Sequence, residues 1–342
     1  MKIGIIGRPG AGKSTVFEAL TRVFEEPTHR GEARVGTVPV PDGRVDWLSG
    51  QYEPKKTTYA QVEYFLPGLP GGQRESLQKA LNQVRDADAL LHVLRNFNGL
   101  ELDSPRPWED FSVIEQEIIL ADQVVIEKRL ERITADHKRG KKADPEEQAL
   151  LSEGLKLLES ETPLRRRSEL AQAPLLKGFR FLSAKPQLIL FNNADDDDRL
   201  PEANGLTQAE EGLVIRGKLE RELARMSDEE AAEFQTEYGI TASARDRVLR
   251  RSYALLGLIS FFTVGDDEVR AWTLRKGEPA LRAAGVVHTD MEKGFIRAEV
   301  VALEDLRSAG SMAEARKRGL IRLESKTYFV QDGDVINFRF SV

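Results

Sequence analysis

The chain opens on a short apolar run, Met1 to Ile6, rich in β-branched residues and stopping at Gly7. A run apolar on both faces is the pattern of a strand buried in a parallel sheet. Beyond the Gly-rich stretch Gly7–Ser14, Val16, Phe17 and Leu20 recur at helical spacing. Further runs read as strands over Val35–Val40, Thr57–Leu66, Ala89–Leu94 and Gln187–Phe191, with an amphipathic helix over Leu77–Val84. Pro41-Asp42-Gly43 and the stretch Pro67–Gly72 read as turns. Strands alternating with helices predict an α/β fold on a parallel sheet.

The pattern changes from about Trp108 to Leu176. Charge is dense, Gly is sparse, and Val113, Ile114, Ile118, Val125, Leu130 and Ile133 follow a spacing of three to four. A polar turn, His137–Pro145, precedes a second set, Leu150, Leu151, Leu155 and Leu158. The spacing predicts an antiparallel helical hairpin. Its tip carries Lys138, Arg139, Lys141 and Lys142, and Arg165–Arg167 add a basic triplet. Such runs read either as a solvated face or as a contact for RNA or protein. A helix is predicted over Leu219–Phe234. From Leu258 onward the chain alternates as a β-rich region, with strands expected over Ile259–Val264, Val269–Leu274, Phe295–Val301, Tyr328–Val330 and Val335–Phe340.

Composition narrows the chemistry. Fifty basic against 56 acidic residues give a net charge of −6, which disfavours a protein binding polyanions through bulk charge and leaves only local basic patches. The chain has no cysteine, which removes disulfides, thiolate zinc, iron–sulfur clusters and thiol catalysis, and four scattered histidines make no metal site. No apolar run approaches the ~20 residues of a membrane span. The N-terminal MKIGIIG is too short for a signal peptide. The expectation is a cytoplasmic monomer without membrane contact.

Gly7-Arg8-Pro9-Gly10-Ala11-Gly12-Lys13-Ser14 matches G-x-x-x-x-G-K-[ST] between a predicted strand and a predicted helix. The spacing serves phosphate. Amides of Gly10, Ala11, Gly12 and Lys13 converge on it, glycines let the backbone approach, and the helix start adds its dipole. Lys13 is the expected catalytic charge for the β- and γ-phosphates, Ser14 offers a hydroxyl to Mg2+, and Thr15 completes the phosphate-binding set.

Three segments together resemble the YchF/Obg-like ATPase family of P-loop NTPases: the P-loop, Val38–Leu48 and Phe261–Leu306, followed by the closing Asp332–Phe340. The resemblance covers nearly the whole chain. It implies a nucleotide domain in two parts (1–107 and 181–257), an inserted helical hairpin (108–180) and a C-terminal ubiquitin-like β-grasp, or TGS, domain (258–342). It also implies an ATP-preferring NTPase associated with ribosomes.

The chain departs from that family at both switches. The D-x-x-G stretch becomes Phe65-Leu66-Pro67-Gly68, so Phe65 replaces the carboxylate that supports Mg2+ through water. Leu69 stands where Ras-like enzymes position water with Gln, and the family is hydrophobic there too. Switch I is replaced by Pro27–Arg34, where Thr28 is out of register. For the base, the N-K-x-D register falls on Asn192-Asn193-Ala194-Asp195, and a slip by one pairs Asn193 with Asp196. Asn192 and Asp195 are the candidate base contacts, the alternative being an acidic loop that touches no base. The resemblance points to ATP, while Asp195 suits guanine. The expected function is therefore a slow ATP- or GTP-hydrolysing NTPase whose nucleotide state controls binding to a ribosome or other RNA partner through the hairpin tip and the TGS domain. The alternative is a catalytically impaired nucleotide-binding scaffold. A small-molecule kinase is disfavoured by the absence of an Arg-rich lid.

Overall fold

The computed structural model describes residues 1–342 except 25–31, 69–72, 100–102, 141, 143, 207–209, 238–242 and 342. Thr28, Leu69 and Lys141 therefore lie outside the described residues. The chain divides into two compact units, Met1–Val38 with Glu63–Val248, and Pro39–Val62 with Leu249–Val342.

The strands in chain order begin with β1 (Lys2–Ile6), β2 (Arg34–Pro39), β3 (Lys56–Thr58), β4 (Gln61–Leu66), β5 (Ala89–Asn96), β6 (Gln187–Asn193) and β7 (Gly212–Ile215). Six of them form one sheet in the order β2-β4-β1-β5-β6-β7. The pairs β1–β4, β1–β5, β5–β6 and β6–β7 are parallel. Every residue of β6 is buried, as are Ala89 to Leu94 of β5, which is why these runs are apolar without alternation. Each fully buried Leu or Ile there contributes about 1.5–3 kcal/mol relative to exposure.

The inserted hairpin consists of helices Pro107–Lys138 and Pro145–Glu159. Asp144 caps the second, its carboxylate accepting from the Glu146 amide at 2.9 Å. The helices run antiparallel. Arg129 meets Glu147 in a two-pronged ion pair at 2.8 Å, while the earlier Ile126 packs at the later Gly154. Ile126, Ile133, Leu151 and Leu158 fill the seam. Its base is tied by charge. Arg165 sits 2.7 Å from both Glu115 and Glu210, with all three side chains nearly buried. The basic triplet is thus spent in part on internal pairing, since Arg166 also reaches Glu210 at 2.7 Å. The buried Asp122 accepts from the Ser183 amide at 2.7 Å and pairs with Arg85 at 3.0 Å. The fold so far is the expected one.

Local corrections have clear causes. The helix predicted over Leu219–Phe234 is two helices, Gly217–Arg225 and Asp228–Glu237. Ser227 starts the second, its hydroxyl accepting from the Glu230 amide while Glu230 accepts from the Ser227 amide, a reciprocal box that stops the first helix. Pro41-Asp42-Gly43 is no bare turn. Asp42 caps the unpredicted helix Gly43–Tyr52, accepting from the Arg44 amide at 3.0 Å.

The run Thr57–Leu66, predicted as one strand, is divided between two sheets. Glu63–Phe65 of β4 pair in parallel with Lys2–Gly4, whereas Lys56–Thr58 of β3 pair with Glu268–Arg270 in the second unit. This pairing groups residues 39–62 with the C-terminal unit, although they lie within the first expected domain segment, 1–107.

The second sheet contains β8 (Leu258–Thr263), β9 (Glu268–Arg275), β10 (Phe295–Ala302), β11 (Arg322–Glu324) and β12 (Asp334–Phe340), in the order β11-β10-β12-β8-β9-β3. Helix Ala280–Val287 buries Ala280, Ala283 and Ala284 against Phe261, Val300, Ile336 and Phe338. Tyr328–Val330, expected as a strand, makes only an isolated bridge from Phe329 to Pro279, and the strand in that region is β11. Asp332 explains the final turn. It accepts from the Ser260 amide at 2.9 Å and from Arg44 at 2.8 Å.

Candidate functional site

Ligands of open α/β sheets gather at the carboxyl ends of the strands. In the first unit β1 ends at Ile6, and the loop Gly7–Gly12 leads into helix Lys13–Thr21. Gly12 caps that helix in the left-handed region, at φ 84°, and no side chain bonds to the helix start. The first-turn amides have no intrahelical partner by geometry. A helix start of this kind favours negative charge beside it. A side chain at Gly12 would be strained by its φ and would collide with the Asn192 amide.

Lys13 curls back over this loop. Its Nζ donates to the Gly7 carbonyl at 2.9 Å and to the Arg8 carbonyl at 2.8 Å. Burial pulls its pKa down to about 8 from the usual 10.5. Ser14 is exposed, Thr15 is half-buried and Ala11 is buried. The predicted phosphate set therefore forms one continuous loop and first helical turn.

Asn192, at the end of β6, is 4% exposed. Its Nδ2 donates to the Ala11 carbonyl at 3.0 Å, and its Oδ1 accepts from the Gly217 amide at 3.0 Å. One side chain thus braces the phosphate loop against the start of helix Gly217–Arg225. A Cβ on Gly217 would lie 2.5 Å from that Oδ1, so the glycine keeps the bracket closed. Asp195 lies on the following loop, where it accepts from the Leu219 amide at 3.1 Å and faces Lys218 at 3.6 Å. Its side chain is 43% exposed. In the one-residue slip, Asn193 would take the Asn192 role. In the structure Asn193 is buried, accepting from Asn96 at 2.9 Å and donating to the Arg199 carbonyl.

One polar partner of the loop was not singled out by motif. Arg8 pairs with Asp110, Nη1 to Oδ1, at 2.8 Å. Further from the loop, Glu220 accepts from the Ala244 amide at 2.8 Å, tying helix Gly217–Arg225 to the start of helix Ala244–Leu255. Arg8 occupies a variable position of the motif, so the pattern itself carries no signal for it.

Among the described residues the expected metal side offers one protein oxygen, the Ser14 hydroxyl. Among the described residues no group of three His, Asp or Glu is placed to hold a metal. Phe65 is 9% exposed and packs with Ile6, Leu81, Ile114 and Leu182. This donor set fits Mg2+ carried by nucleotide phosphates and water, the ion's ordinary way of binding, rather than a cage of protein ligands. At the hairpin tip Lys138, Arg139 and Lys142 are exposed. No helix among the described residues is long and apolar enough to cross a membrane.

Comparison with known proteins places this geometry in context. Residues 2–127 match a family model described as 50S ribosome-binding GTPase, and residues 258–341 match YchF-GTPase_C, described as a protein of unknown function. The chain is 39% identical to the ribosome-binding ATPase YchF of Bacillus subtilis, over 99% of each chain. It is 37% identical to the Haemophilus influenzae protein of the same name, over 100% of this chain and 99% of that one. The solved YchF GTPase of Schizosaccharomyces pombe superposes with a TM-score of 0.84 at 28% identity, covering 99% of this chain and 97% of that one.

Proposed function

The chain belongs to the YchF family of P-loop NTPases, and from that premise we propose that it binds and slowly hydrolyses ATP or GTP with Mg2+ and couples nucleotide state to ribosome binding. The observation that carries the reading is the uncapped helix start at Gly12–Lys13, with Lys13 held over the loop and Asn192 bracing Ala11. Relatives named ribosome-binding ATPase support the ribosome as partner. Their names and the family description split between ATPase and GTPase, and Asp195 has the chemistry for a guanine edge.

In this reading the amides of Gly10 to Lys13, with Thr15, hold the phosphates. Lys13 leaves the Gly7 and Arg8 carbonyls for the β- and γ-oxygens, and Ser14 joins the Mg2+ that arrives with them. Mg2+ held by Ser14 and the nucleotide phosphates would supply positive charge against that developing on the transferred phosphoryl group. Asp195 lies on the loop proposed to meet the base, and Asn192 positions that loop. The hairpin, 108–180, serves as a basic arm. Lys138, Arg139, Lys141 and Lys142 meet RNA phosphates there, with the C-terminal region 258–342 as a second contact, and the protein acts as a monomer.

Turnover of purified protein tests hydrolysis. Lys13→Ala should lower it by on the order of 100-fold, and equal rates for the two proteins would remove catalysis. Competition between ATP and GTP decides the base. Cosedimentation with ribosomes should weaken when the four tip cations are replaced by Ala. A second reading, a nucleotide-binding scaffold without useful turnover, is favoured by the burial of Phe65 where the family carries a carboxylate. It predicts nucleotide binding with turnover already at the Lys13→Ala level.

A further inference from the structure

We propose that Arg8 reads the terminal phosphate of the bound nucleotide and that Asp110 holds its guanidinium when no nucleotide is present. The inference rests on the nucleotide-binding reading above. Arg8 is the second residue of the phosphate loop, and its Nη1 lies 2.8 Å from Asp110 Oδ1. The Arg8 side chain is 47% exposed, whereas that of Asp110 is only 13% exposed. Both residues line one cavity of about 690 Å³ at the end of β1, and Lys13 opens on the same space. Lys13 also donates to the Arg8 carbonyl, so the two cations are coupled through the loop backbone.

Two other arginines on this cavity, Arg95 and Arg106, are occupied away from the loop. Arg95 donates to the Asp103 carbonyl at 2.7 Å, and Arg106 pairs with Glu109 at 3.2 Å. Arg8 alone among these three is carried by the phosphate loop itself.

The chemistry favours an exchange of partners. A half-exposed ion pair gains little in water, so Asp110 is a weak competitor. A terminal phosphate offers more charge and a planar face of oxygens that a guanidinium grips with two N–H groups. A diphosphate lacks that group, so the contact separates triphosphate from diphosphate. Asp110 sits in the first turn of helix Pro107–Lys138, whose far end carries Lys138. Freeing its carboxylate changes the anchoring of the arm at the loop, and the helix start tolerates the free negative charge.

Calorimetric titration of the full chain with the β,γ-imido analogues of ATP and GTP, and with ADP and GDP, tests this. Arg8→Met keeps the apolar stem and should lower the triphosphate-to-diphosphate affinity ratio by about tenfold. Arg8→Lys should retain part of it. Asp110→Asn frees Arg8 and should raise the ratio by about threefold. A purely structural clamp predicts parallel effects instead, because Arg8→Met and Asp110→Asn break the same pair. Equal effects of the two substitutions, or no change in the ratio for either, would overturn the proposal. If Arg8→Met does not fold, opposite shifts for Arg8→Lys and Asp110→Asn support the proposal and parallel shifts overturn it. Loss of nucleotide binding in Lys13→Ala with retention in Arg8→Met would keep the general reading standing whatever the ratio shows. Absence of binding by the unaltered protein would remove that reading and this one together.

Discussion

β1 and β4 are neighbours in one sheet, parallel and in register from Lys2 opposite Glu63 to Gly4 opposite Phe65. Their carboxyl ends nevertheless carry opposite chemistry. β1 runs out into a loop of glycines leading to Lys13, at a helix start that no side chain caps. β4 runs out through Phe65 and Leu66, both buried, into Pro67. The same backbone geometry delivers both ends to the ligand side of the sheet. Side chains then decide that one end opens onto a glycine loop and a helix start while the other extends the apolar core. The difference teaches that a seat built mostly from backbone depends little on side-chain identity, whereas a strand end takes its character from the one or two side chains it carries.

The largest test of this contrast is Phe65→Ala. If Phe65 is core, its loss should cost about 3–5 kcal/mol of stability. Urea unfolding followed on the first unit measures it, and a cost near zero would show the β4 end to be a ligand surface after all. On the β1 side, Asn192→Ala should cost about 1–3 kcal/mol, because the Ala11 carbonyl and the Gly217 amide both lose a buried partner. Nucleotide affinity should fall with stability, and affinity that stays unchanged would detach the bracket from the site.

The smallest effect is a pH dependence. Burial holds Lys13 at about 8 in the free protein, and bonding to phosphate favours its charged form. Binding therefore takes up a proton once the pH exceeds about 8. Affinity should drop by about tenfold between pH 7 and pH 9. In Lys13→Ala any residual binding should lose that slope, and an equal slope in both proteins would assign it elsewhere.

Much of the fold was legible in the pattern of apolar positions. β5 and β6 stood out because strands buried on both faces cannot alternate, and the hairpin because Ile118, Val125, Leu130, Ile133, Leu151, Leu155 and Leu158 keep helical spacing over many turns. The places that misled share a cause, competition between partners distant in sequence. Thr57–Leu66 reads as one strand, and only the location of Glu268 and Lys2 shows that two sheets claim its ends. The helix break at Ser227 was in principle readable, since Ser227 and Glu230 stand at capping-box spacing. At the site, Gly7–Ser14 was recognisable because the phosphate loop is local chain. The partner Asp110 was not, because it arrives from 102 residues beyond Arg8.

The sequence by itself determined the elements whose cause is local: the glycine loop with its lysine, the helical arm with its basic tip, and the apolar end of the strand at Phe65. Each follows from backbone freedom, periodicity or side-chain chemistry within a few residues. Tertiary structure alone decided that Phe65 packs into the core, that Asn192 braces the loop, that Arg8 faces Asp110, and that a strand from residues 56–58 completes the C-terminal sheet. Those outcomes depend on which distant groups win a shared partner, a competition settled by burial and hydrogen-bond satisfaction across the folded chain.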